Sequence, residues 1–126
     1  MPDAARFLID QFLEPSRRAE ATHRLAALGT LAIPAIASVL DGSARNQFGI
    51  SLRSVSAEVA RCALVSARHL GQVAAPLEPL LRAELSSEFA GLRTEAAAAL
   101  TGLESVSDET LVALSAVLDS PEDAAR

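Results

Sequence analysis

Two segments of this chain repeat one another. Leu28-Gly29-Thr30-Leu31-Ala32-Ile33-Pro34 and Leu70-Gly71-Gln72-Val73-Ala74-Ala75-Pro76 share the pattern Leu-Gly-x-(Leu/Val)-Ala-x-Pro, and Gly29 and Gly71 are 42 positions apart. Each segment follows an Arg- and Ala-containing stretch, Arg17-Arg18-Ala19-Glu20-Ala21 in one case and Ala57-Glu58-Val59-Ala60-Arg61 in the other. The glycine ends one helix in a conformation that other residues resist. The proline opens the next, where a missing N–H matters little. A third copy is weaker: residues 92 to 103 repeat the first helix, Val106 to Leu118 the second, but Glu104 and Glu109 stand where Gly and Pro stood. From Leu70 to Leu103 the period is 33. A single helical hairpin cannot bury its apolar face alone, so copies stack.

Composition agrees with helices. The 126 residues contain four Phe, no Tyr and no Trp, so Ala and Leu must fill the core. That favours closely packed helices over strands of β-branched and aromatic residues. Phe89, Leu92, Ala96, Leu100 and Leu103 recur at steps of three and four, and Val55, Val59, Ala63 and Leu70 form a second stripe at steps of four, four and seven. The spacing predicts helices over about 3–14, 17–29, 32–40, 55–70, 75–85, 88–103 and 108–118. Ser16, Ser54 or Ser56, Ser86 or Ser87, and Ser107 or Asp108 stand where helices should start. The organisation expected is one domain over 1–126. A capping helix at 1–15 precedes hairpins at 17–42, 55–86 and 88–120, with an inserted loop at 41–54.

The repeat resembles the HEAT-repeat superfamily, in the short Ala-rich bacterial form known as PBS-lyase-like HEAT repeats. Leu28-Gly29 and Leu70-Gly71 match the end of that family's first helix, and Leu40-Asp41 and Leu118-Asp119 match the end of its second. The resemblance covers roughly residues 17 to 120. It implies an all-α, right-handed solenoid of about three hairpins plus the N-terminal capping helix. It also implies a role in protein–protein recognition, as an adaptor, scaffold or regulatory subunit. The alternative that the resemblance implies is a lyase-like accessory subunit in the maturation of another protein; the net charge of −5 adds a further alternative, an immunity-type inhibitor of a basic toxin.

Charge narrows the partners. Eleven basic residues, all Arg, face sixteen acidic ones, giving a net charge of −5. Phosphate backbones require cationic surface, so nucleic acid is disfavoured. The longest apolar stretch, Leu31 to Ala37, is too short to span a bilayer and contains Pro34. The first residues lack the cationic stretch of a signal peptide, so a cytoplasmic protein is expected. Cys62 is the sole cysteine and reads as a small buried residue on a helix.

No catalytic residue, metal ligand or cofactor is predicted. His23 has Ala19 and Ala27 at helical spacing, and His69 has Val65 and Val73, so neither gathers ligands along its own helix. Glycine-rich phosphate loops and Gly-x-Ser-x-Gly elbows are missing from the sequence. The best candidate surface is the inserted loop, where Arg45, Asn46, Gln47, Phe48 and Arg53 mix charge, amides and an aromatic ring. Arg and aromatic residues are typical binding anchors, and loops this long in compact domains are often functional. The competing expectation is that Phe48, Ile50 and Leu52 fold back over the core. Glu78 and Arg82 belong to the second-helix face that would line the concave side of a HEAT-like array, with Ser38, Thr110 and Ser115. An unidentified protein is the expected partner. A second copy of the chain is the alternative, through apolar residues of the segment Phe7 to Leu13.

Overall fold

The computed structural model describes residues 3–118, and within them every regular element is a helix. Helix α1 (Asp3–Gln11) buries Ala5, Leu8 and Ile9, and Phe12 just beyond it is also fully buried. Burial of a Phe contributes about 1.5–3 kcal/mol. The helix expected to reach 14 stops at Gln11, because Phe12, Leu13 and Glu14 donate to carbonyls three residues back, and Pro15 follows. A single 3₁₀ turn (Pro15–Arg17) leads into α2 (Arg18–Ala27).

The connection from α2 to α3 (Ile33–Leu40) is a 3₁₀ turn over Gly29–Ala32. Gly29 opens it at φ +59, in the left-handed region where a side chain would be strained. Pro34 lies in the first turn of α3. The short helix α4 (Leu52–Val55) closes the loop that follows. Ser56 then caps α5 (Ala57–Leu70), accepting from the Glu58 amide at 3.2 Å.

The repeat reappears after α5. Gly71 takes φ +58, and Gly71–Leu77 winds as a 3₁₀ helix before α6 (Glu78–Glu84). The α-helix expected from 75 thus begins at Glu78. Pro76 and Pro79 each lack an N–H donor, which removes two backbone bonds from this stretch, and Pro79, not Pro76, occupies the first turn of α6. Helix α7 (Ala90–Thr101) and helix α8 (Asp108–Leu118) complete the described chain. Residues 119 and 120 of the third hairpin, and Asp119 of the Leu118-Asp119 pair, lie outside the described residues.

Helix α5 lies between α2 and α7 and also packs on α3. Helix α1 covers α2 and α3, α6 packs on α7, and α8 packs on α6. The buried apolar residues form one cluster. Ala21 on α2, Ala60, Ala63 and Ala67 on α5, and Ala96 and Ala99 on α7 are all buried, so the contacts between these helices are made with small side chains. Small side chains let helix axes approach at the short end of the usual separation. The Ser66 hydroxyl adds a buried bond to the Thr22 carbonyl at 3.3 Å, tying α5 to α2.

Candidate functional site

The 41–54 segment is a loop with internal structure. Asn46 organises its tip: its side-chain oxygen accepts from the amides of Phe48 at 2.9 Å and Ile50 at 3.1 Å. Its backbone N–H donates to the Ile50 carbonyl at 2.9 Å. Such short amide side chains favour turns because they satisfy their own neighbours' backbone. Gly49 completes the turn at φ +77. Arg45 and Ser51 pair as an antiparallel bridge, and the Arg45 guanidinium reaches the Gly49 carbonyl at 2.6 Å. From outside, Arg6 on α1 donates to the Arg45 carbonyl at 2.6 Å. The loop base is fixed by Ala44 donating to Ser38 and Leu52 donating to Ala44.

This scaffold leaves Phe48 76% exposed and Ile50 49% exposed, while Leu52 is fully buried. The fold-back expectation therefore holds for Leu52 alone. Gln47 is exposed beside Phe48. Arg45, Asn46, Gln47 and Phe48 thus share one turn, in which Arg45 and Asn46 hold the backbone while Gln47 and Phe48 face solvent.

The other three predicted residues lie apart from that tip. Arg53 turns inward to the Leu40 carbonyl and the Glu84 carboxylate. Glu78 and Arg82 meet the start of α8. The Glu78 carboxylate accepts from the Ser107 amide at 3.0 Å, from the Ser107 hydroxyl at 2.8 Å and from the Thr110 hydroxyl. Arg82 donates to Ser107 and Thr110 and lies 3.5 Å from Glu109. Those bonds, led by Thr110 and followed by Ser107, hold the Glu78 carboxyl below its ordinary range, with Arg82 adding a smaller pull. A carboxylate at a helix N-terminus satisfies free amides and interacts favourably with the positive end of the helix dipole. Ser38 is buried and bonded to the Ala35 carbonyl, and Ser115 is exposed.

The structure also joins residues that the sequence keeps apart. Arg18, Thr22 and His23 from α2, with Glu58, Arg61, Cys62 and His69 from α5, line a groove of about 430 Å³. His23 and His69 stack across it, with ring centres 5.2 Å apart and planes inclined at 29°. Arg61 pairs with Glu58 at 2.8 Å. Burial pushes the Cys62 thiol up, against a weaker opposing pull from its hydrogen bond with Thr22. The repeat predicts that α2 and α5 pack together, but His23 and His69 are 46 positions apart rather than 42, so the repeat offset alone does not pair them. At the N-terminal end, Phe7 is 59% exposed beside a shallow groove between α1 and α2.

Among the described residues, no three or more His, Cys, Asp or Glu side chains gather to hold a metal ion, and no helix is long and apolar enough to cross a membrane. No family model, curated protein sequence or solved structure matches the chain.

Proposed function

We propose that this chain is a non-catalytic protein–protein interaction module, an adaptor, scaffold or regulatory subunit of the cytoplasm. Its architecture in this reading is a right-handed α-solenoid of HEAT-like hairpins. Supporting the architecture, α2, α5 and α7 pack in series, and α2 and α5 each lead through a positive-φ glycine and a 3₁₀ turn into a second helix. The third connection departs from this: Glu104 stands where Gly29 and Gly71 stood, and the chain leaves α7 through Gly102 at φ −80.

One observation carries the functional reading: Phe48 is exposed at the tip of a loop whose backbone is already fixed by Asn46, Arg45 and Arg6. An exposed aromatic on a preorganised turn loses little entropy on docking, and Phe offers a large apolar contact. The charge distribution favours a protein partner over nucleic acid. Arg6, Arg17, Arg24, Arg53, Arg61, Arg68 and Arg82 all pair with carboxylates, which leaves little cationic surface for phosphates.

The test is capture of partners from a lysate of the source cells by the immobilised chain and by Phe48→Ala. Arg45 stays unchanged, because its guanidinium holds the loop. A specific protein retained by the first and lost by the second is the expected result. Equal capture by both, or none by either, overturns the assignment of the loop as the docking surface.

A further inference from the structure

His23 and His69 come from different helices and from separate copies of the repeat, yet their rings meet face to face at 5.2 Å. Both residues are exposed, at the rim of the α2–α5 groove. Zinc holds imidazole nitrogen at about 2.0–2.1 Å in tetrahedral geometry, which sets the centres of two coordinated rings about 5 Å apart. The observed spacing matches that requirement. Ligation requires the exposed rings to leave the stack and turn about their Cβ–Cγ bonds until one nitrogen of each faces the ion.

We propose that His23 and His69 form a two-histidine site for a borderline divalent transition metal ion such as Zn²⁺, Ni²⁺ or Cu²⁺, with water completing the coordination shell. The backbone beneath the pair is prepared for this. Thr22, next to His23, accepts through its carbonyl from Ser66, one helical turn before His69. That buried bond fixes α2 against α5, so the two imidazoles are presented from rigid elements. Of the two guanidinium groups lining the groove, Arg61 pairs with Glu58 at 2.8 Å and Arg18 is turned to the Phe12 carbonyl at 2.7 Å. Cys62 is buried, and that burial pushes its thiol up, away from the thiolate form. With two protein ligands the site is open and exchangeable. Imidazole ligation favours Ni²⁺, Cu²⁺ and Zn²⁺ over Mg²⁺, which requires oxygen.

An ion held by both rings would also staple α2 to α5 and so stabilise the folded chain by mass action. The test is titration calorimetry of the untagged protein with NiCl₂, ZnCl₂ and, as a hard-ion control, MgCl₂. Thermal unfolding is measured with and without each ion. The expected result is one Ni²⁺ or Zn²⁺ per chain, no response to Mg²⁺, and a higher Tm with the bound ion. His23→Ala and His69→Ala should each weaken binding by about tenfold or more and abolish the Tm rise. Both side chains are exposed, so circular dichroism should show both variants folded; His69→Gln replaces the alanine variant if it does not. No saturable binding below millimolar Ni²⁺, or undiminished binding after loss of either histidine, overturns the proposal.

Discussion

The guanidinium of Arg53 meets the carboxylate of Glu84 through two contacts, 2.6 Å from Nη1 to Oε1 and 3.1 Å from Nη2 to Oε2. The pair links the end of the 41–54 loop to the last turn of α6, and Arg53 also satisfies the Leu40 carbonyl at the end of α3. Glu84 is only 8% exposed at its side chain, while Arg53 is 27% exposed.

Removing one partner leaves a desolvated charge. Arg53→Met should therefore destabilise the fold by about 3 kcal/mol, the low end for a broken buried pair because Arg53 reaches solvent. Arg53→Met/Glu84→Leu should recover part of that loss, since no orphan charge remains although the Leu40 carbonyl still lacks its Arg53 donor. Urea midpoints at constant slope measure both. A double variant no more stable than the single one would show that the pair's charge is not what matters here.

Two glycines should respond oppositely to alanine. Gly71 has open space where an alanine methyl would stand, but it sits at φ +58 and ψ −131, a backbone conformation that side chains resist. Gly71→Ala should cost about 1–3 kcal/mol from backbone strain alone. Gly91 is in the first turn of α7, exposed, with nothing within 4 Å of an added methyl. Gly91→Ala should stabilise by about 0.4–1 kcal/mol by restricting the unfolded chain. Thermal unfolding of both variants checks the signs, and equal shifts would contradict backbone strain as the source of the difference.

Glu78 gives a pH dependence of known sign. Hydrogen bonds from Thr110 and Ser107 hold its carboxyl below its ordinary value in the folded chain. The unfolded chain therefore binds this proton first as pH falls. The stabilisation is fully present above the unfolded value, about 4.3, and is lost as pH drops through the lower folded value. Glu78→Gln should be less stable than the parent at neutral pH, and the gap should narrow on acidification below about pH 4.3. Urea midpoints between neutral and acid pH test this; a gap that stays constant would rule out the carboxylate as its source.

The helical class was legible in the sequence because the apolar spacing and the caps agree with each other. Ser56 and Ser107 both act at helix starts, as their positions suggested, and Gly29, Gly42 and Gly71 all take positive φ. The late start of α6 was hidden, because Leu77 and Leu81 keep helical spacing while Pro76 and Pro79 redirect the backbone hydrogen bonds. Site geometry was less legible. Arg53 reads as a surface anchor until Glu84, distant in sequence, is brought beside it. Glu78 reads as one polar residue on a helix face until Ser107 and Thr110 arrive. His23 and His69 have no ligating neighbours on their own helices, so only the packing of α2 on α5 could pair them.

Helix α5 touches α2, α3, α4, α7 and the Gly71–Leu77 turn. An array whose units meet only their neighbours can melt from one end, unit by unit. Here the shared central helix belongs to both halves of the described chain, so neither half keeps its buried face once α5 detaches. The amides of α2 and α7 should therefore lose their protection against hydrogen exchange in a single cooperative event. Fraying without global unfolding is then confined to α8, which is held chiefly through α6.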